Sequence, residues 1–203
     1  MTDPAGQQVV ELESLRPTQM TVGRALVKLK RAHLRSLVGR PQELVDFIRA
    51  NPIRVVLGPK GRSYVIDHHH FGLALIRENY KSAPMLVVAH LNKLAAAAFW
   101  KEMTARSFVR PVDARGREHP VSDLPKDLED LADDPYRSLA GLVREQGGYS
   151  KTDKPYMEFQ WADYFRPLIA AKSIARQPEK AVKKALTLAH APEASKLPGF
   201  VGK

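Results

Sequence analysis

Two short runs rich in β-branched residues, Ile53-Arg54-Val55-Val56-Leu57 and Tyr64-Val65-Ile66, flank the turn Gly58-Pro59-Lys60-Gly61. That spacing predicts a hairpin. Its second strand runs without a linker into Asp67-His68-His69-His70. An apolar helical repeat over residues 71–80 follows, with Leu75 and Ile76 inward. A strand that becomes a helix within a few polar residues commits this part of the chain to a mixed fold.

The surrounding pattern extends it. Residues 9–15 alternate, with Val10, Leu12 and Ser14 on one face, and predict a strand. Arg16-Pro17-Thr18-Gln19 then turns the chain. Over residues 23–38, Leu26, Leu29, His33 or Leu34, and Leu37 recur at helical spacing. A second helix begins at Pro41, where proline suits the first turn, and stops at Asn51-Pro52. A strand over 85–89 and an alanine-rich helix over 91–104 come next. Residues 109–121 are polar and turn-rich, with a tip at Asp113-Ala114-Arg115-Gly116. Beyond them only helices are predicted, over 125–131, 135–146, 158–171 and 178–190. Residues 147–155 form a loop and residues 192–203 lie loose. The expected fold is α+β. A small mixed sheet with helices occupies residues 1–106, and a mostly helical C-terminal domain with a basic tail occupies 107–203.

The chain has 203 residues and no cysteine. Disulfides, thiolate zinc sites and cysteine nucleophiles are therefore out, and a reducing compartment fits. The N-terminus, Met1-Thr2-Asp3-Pro4-Ala5-Gly6-Gln7-Gln8, has neither the basic nor the apolar region of a signal peptide. The most apolar stretch, residues 91–100, is far shorter than the ~20 residues that cross a bilayer. A cytoplasmic protein without membrane contact is expected.

The net charge of +10 and pI near 9.9 favour polyanionic partners, either nucleotide or nucleic acid. Arg24, Lys28, Lys30, Arg31, Arg35 and Arg40 share a window without one acid. Lys172, Arg176, Lys180, Lys183, Lys184, Lys196 and Lys203 crowd the end. Each cluster is either an anion-binding face or a solvated one. Oligomeric state is not legible in the sequence.

The Asp67-His68-His69-His70 turn is the strongest candidate site. A helix start offers unpaired N–H groups and the positive end of the helix dipole, which suits an anion. Histidines add donors that change charge near neutral pH. Asp67 has four open roles: helix cap, imidazole orienter, magnesium ligand or base. The three histidines are spaced too closely to meet one ion on a helix. Arg137 and Arg144, seven apart on one predicted helix, suit either a phosphate clamp or a buried ion pair. Trp161 and Phe165, four apart, read as core. No P-loop, GxSxG elbow, HExxH or zinc-finger pattern is present.

Residues 10–19 (Val10-Glu11-Leu12-Glu13-Ser14-Leu15-Arg16-Pro17-Thr18-Gln19) and Ile66-Asp67-His68-His69-His70 resemble the ParB/sulfiredoxin superfamily, and within it the ParB-like nucleases. Residues 134–140 and 158–163 also look like that subfamily. The resemblance implies a strand ending in a short polar motif whose helix start holds nucleotide phosphates, and a loop after the first strand facing the same pocket. The sulfiredoxin motif reads glycine-cysteine-histidine-arginine. His69 falls on its cysteine, His70 on its histidine and Phe71 on its arginine. A related serine kinase uses a glutamate where Gln19 falls. Sulfiredoxin chemistry is thus excluded, and the phosphate site lacks its usual arginine. Lys28 and Lys30 are the expected replacements, although they leave their helix about 200° apart, so only one can face the pocket.

Two functions are expected from this pattern. One is a nucleotide-handling, phosphoryl-transferring or phosphodiester-hydrolysing enzyme, in the nuclease, NTPase or small-molecule kinase range. Asp67, His69 and His70 would be catalytic there. His68, Thr18, Gln19, Lys28, Lys30, Arg137 and Arg144 would hold phosphate. Mg2+ and ATP or ADP are the implied cofactors, with Asp67 as the metal ligand. The other is a non-catalytic nucleic-acid binder or adaptor that uses the basic surface.

Overall fold

In the computed structural model, residues 6 and 8–202 are described; the leader residues 1–5 and 7, and Lys203 of the basic tail, lie outside them. The elements are, in chain order, β1 (Val9–Glu11), β2 (Leu15–Pro17), β3 (Thr21–Val22), α1 (Arg24–Ser36), α2 (Pro41–Ala50), β4 (Ile53–Leu57), β5 (Ser63–Asp67), α3 (His69–Arg77), β6 (Ser82–His90), α4 (Ala96–Ala105), β7 (Ala132–Asp133), α5 (Pro135–Glu145), α6 (Met157–Phe165), α7 (Ala171–Arg176) and α8 (Pro178–Ala189). The fold is α+β: a mixed sheet with helices, then C-terminal helices. Two compact units contain it: residues 1–22 with 27–132, and residues 23–26 with 133–203. Among the described residues no helix is long and apolar enough to cross a membrane.

In the first unit the sheet order is β1-β6-β4-β5-β2. β4 and β5 form the antiparallel hairpin that the spacing predicts, while β6 runs parallel to β4 and β2 parallel to β5. The turn places Lys60 and Gly61 at positive φ, and Gly58 N–H donates to Arg62 O at 2.8 Å. Successive residues on a strand point to opposite faces, and both faces here are buried. Ile53, Val55 and Val65 pack with Leu15, Leu34, Leu73 and Leu75 on one face. Val56 and Tyr64 pack with Phe99 and Met103 on the other. Each such aliphatic side chain contributes about 1.5–3 kcal/mol by leaving water.

The predicted strand over residues 9–15 is broken. Leu12–Ser14 form one 3-10 turn, in which Leu15 N–H donates to Leu12 O and Ser14 Oγ donates to Glu11 O. Arg16 and Pro17, expected in a turn, belong to β2. β1 and β2 are neighbours in sequence yet lie on opposite edges of the sheet. Five flat strands at ~4.8 Å spacing would separate their edges by about 19 Å. One 3-10 turn, rising ~2 Å per residue, cannot span that. The sheet therefore curls.

Three boundaries also move. α3 begins at His69, so the second and third histidines are helical. α4 begins at Ala96, because Leu91 N–H still pairs with Leu57 O at 2.7 Å. The helix expected over 125–131 is only a 3-10 turn, Leu128–Asp130. Arg16 holds that segment by donating to Lys126 O at 2.6 Å and to the Asp127 carboxylate, while Leu128 and Leu131 enter the core.

The second unit packs α5, α6, α7 and α8 around Trp161, which stacks on Tyr149 with centroids 4.3 Å apart. Asp134 caps α5 by accepting from Tyr136 N–H, and Arg166 bonds its other oxygen at 2.9 Å. The single helix expected over 158–171 ends at Phe165. Pro167 lies just beyond; it has no N–H and disfavours a helical residue before it. The last residues, expected to be loose, are packed. Trp161 Nε1 donates to Pro198 O at 2.8 Å, Ser150 N–H donates to Gly199 O at 2.8 Å, and Ala194 is fully buried. Gly199 has φ +73°, and a Cβ there would lie 1.9 Å from Ser150 O.

Candidate functional site

The motif occupies the end of β5 and the start of α3. His68 stands between them in the left-handed region, φ 69° and ψ 24°. That conformation swings the chain from strand to helix in one residue, and the first helical bond runs from Gly72 N–H to His68 O at 2.8 Å. Asp67 is exposed, and its Oδ1 accepts from His68 N–H at 2.7 Å. It closes the turn and, of its four open roles, does not take that of helix cap. The side chain of His68, at the capping position, makes no cap bond either. Neither side chain therefore occupies the mouth of the helix.

The histidines have distinct environments. His68 Nδ1 lies 2.8 Å from Pro52 O, which can only accept, so Nδ1 carries a proton. Its ring is edge-on to Phe71 at 6.3 Å. His69 is buried, and its Nε2 accepts from Thr18 N–H at 3.3 Å. With Nε2 as acceptor, the ring is neutral and protonated on Nδ1. His70 is half-buried on the first turn of α3.

The Thr18–His69 bond joins the loop after β2 to the start of α3, as the family resemblance implies. Thr18 itself is buried; its hydroxyl donates to Val65 O at 2.6 Å and its carbonyl accepts from Arg110 N–H at 2.8 Å. It positions the loop. Gln19 is buried beside it, and its Nε2 has no hydrogen-bond partner among the described residues. A buried amide nitrogen without a partner costs about 1–3 kcal/mol.

The other expected phosphate ligands have these surroundings. Lys28 and Lys30 are both exposed on α1. Their neighbours Arg31 and Arg35 are paired with Glu78, and the hydrogen bond from Arg35 holds that carboxyl below its usual range. Arg137 and Arg144 belong to the second unit. Arg144 pairs with Glu158; Arg137 is buried with its guanidinium 3.5 Å above the Phe159 ring and Nη2 3.9 Å from Glu158.

The sequence pattern misses Arg54. It is the cross-strand partner of Asp67, on β4. Partners directly opposite project from the same face. An even hairpin register, carried from Val56 opposite Tyr64, would set Arg54 against Ile66. A register shift between Arg54 and Val55 sets it against Asp67 instead. The Arg54 side chain is exposed and has no ion pair or hydrogen bond among the described residues. An arginine thus stands beside the motif, on the adjacent strand.

Among the described residues no group of three His, Asp or Glu side chains is arranged to hold a metal. Asp67 brings one carboxylate, with one oxygen already engaged. The donor set does not form a metal cage.

The sequence profile of the family described as "Putative ParB-like nuclease" matches residues 8–167. The crystal structure of protein Atu1540 from Agrobacterium tumefaciens is similar along nearly the whole length. It has 40% sequence identity and a TM-score of 0.88, covering 97% of this chain and 96% of that one. No curated protein sequence matches.

Proposed function

The chain belongs to the ParB-like nuclease family, and from that premise we propose that it binds a nucleic-acid phosphodiester at the Asp67–His70 turn and hydrolyses it. The observation that carries this reading is the placement of Arg54, unpaired and directly opposite Asp67. A phosphate at the start of α3 meets amide N–H groups, the positive end of the helix and one guanidinium, the ligands that stabilise phosphoryl charge.

Hydrolysis needs a water oxygen to attack phosphorus, a proton removed from that water, and a proton delivered to the departing sugar oxygen. Asp67 and His70 flank the helix start from the strand and helix sides, and take the base and acid roles. His69 is neutral, buried and bonded to Thr18, and is a positioning residue. A nucleotide such as ATP or ADP presents the same phosphate chemistry and is the alternative ligand.

The test is cleavage of end-labelled single- and double-stranded DNA with Mg2+ present, alongside binding of the same strands. Wild type should cleave. Asp67→Asn and His70→Ala should lose at least a hundredfold in rate with the fold retained. Absence of cleavage by wild type, or wild-type rates in both variants, rejects the reading.

A second reading is favoured by one observation: Lys28 and Lys30 are exposed cations on α1 without ion-pair partners among the described residues. It is non-catalytic binding of nucleic acid. Salt-independent association would reject it.

A further inference from the structure

Helices α7 and α8 carry the densest uncompensated charge of the second unit. Lys172, Arg176, Lys180, Lys183 and Lys184 fall within thirteen positions that hold a single acid, Glu179. All five cations are exposed. None of the five has an ion-pair partner among the described residues. The contrast within the unit is sharp: Arg144 is paired with Glu158, and Arg166 with Asp134 and Asp163. Cations placed for stability in this unit have carboxylates beside them; these do not. Their mutual repulsion opposes folding and is relieved only by counterions or a polyanion.

The charge also has a shape. A cavity of about 200 Å³ opens between the two helices. Ser173, Gln177, Lys180 and Lys184 supply a hydroxyl, an amide and two ammonium groups to its wall, over an apolar floor of Ile169 and Ala181. Lys180 and Lys184, four apart, stand on the same side of α8. Lys184 also donates to Leu168 O at 2.9 Å, which fixes its stem along the wall.

We propose that the α7–α8 face is a docking surface for the sugar–phosphate backbone of nucleic acid, with one phosphate seated between Ser173, Gln177, Lys180 and Lys184. Charge complementarity selects the occupant. A row of point charges with a hydroxyl and an amide reads a regularly charged backbone and no base. The partner class rests on the nucleic-acid reading above, but the surface holds none of the residues of the Asp67 turn.

The experiment measures binding and hydrolysis separately. Anisotropy of a labelled mixed-sequence DNA duplex is followed from 50 to 200 mM salt for wild type, Lys180→Glu/Lys184→Glu and a charge-matched control, Lys93→Glu/Lys101→Glu. Lys180→Gln/Lys184→Gln serves as a milder pair should the charge reversal perturb folding. Hydrolysis of a small chromogenic phosphodiester, which has no polynucleotide backbone for α8 to hold, reports on the Asp67 turn. The α8 variants should bind the duplex at least tenfold more weakly at 50 mM salt. The slope of log affinity against log salt should fall by about one, for the one phosphate lost. The control should keep most of its affinity. Equal losses in α8 and control variants would show a general charge effect and overturn the proposal. So would unchanged affinity in the α8 variants, or tighter binding to phosphatidylserine vesicles than to DNA. No turnover of the small substrate, with α8-dependent binding intact, would reject the nuclease reading and leave this surface standing.

Discussion

Arg54 shows where residue-level reading stops. The Asp67-His68-His69-His70 motif is legible because a strand, three adjacent histidines and a helix leave a mark in one dimension. Arg54 is not, because a register shift decides which residue it faces. Lys28 and Lys30 are the cations that one-dimensional spacing offers in an arginine's place. Arg54→Ala should therefore weaken DNA binding by roughly tenfold, about the 1.5–3 kcal/mol of one charge-assisted bond partly replaced by water; anisotropy at fixed salt checks it. His68 is a second residue-scale case. It holds φ 69° where a side chain costs about 1–2 kcal/mol. Its bond to Pro52 O returns about 1 kcal/mol. His68→Gly should leave the denaturation midpoint unchanged or slightly higher, and His68→Val should lower it. Asp113 offers a pH prediction. Backbone N–H bonding from Arg117, with the side chains of Arg117 and His119, holds its carboxyl far below the usual carboxylate range. A depressed folded value means that this stabilisation is complete above the unfolded value near 4 and is lost as pH falls through the folded one. Melts below pH 4 should show wild type losing more stability per pH unit than Asp113→Asn.

Elements with strong periodicity are where the sequence announces them: α1, α2, α5 and α8 agree with their apolar repeats within two residues. The failures have tertiary causes. The strand over 9–15 breaks at Leu12–Ser14, because Val9–Glu11 pair with β6 while Leu15–Pro17 pair with β5 at the opposite edge. The helix over 125–131 does not form because Arg16 claims Lys126 O. The last residues read as loose, with their prolines and glycines, because nothing local reveals that Pro198 and Gly199 supply carbonyls to Trp161 and Ser150. Deleting residues 195–203 should therefore orphan the Trp161 indole N–H, at about 1–3 kcal/mol. It should also bring water to the ring, which a red-shifted tryptophan emission and a lower melting temperature would report.

At the scale of the molecule, a net charge of +10 sets the physics of association before any residue is chosen. If about six phosphates are neutralised, DNA affinity should fall on the order of a thousandfold between 50 and 200 mM salt; a titration at four salt concentrations suffices to see it. The curled sheet carries a further consequence, about assembly. Its two outer strands, β1 and β2, come from a single stretch of chain, and their partners β6 and β5 lie far downstream. These two strands are thus made well before their partners and are among the last to find their places, since distant pairings close late. Until they arrive, β5 and β6 each show an open row of amides and carbonyls, ready to pair with another copy. One clasp seals both hems, and loosening residues 8–17 should open them together, as self-association rather than as loss of chemistry.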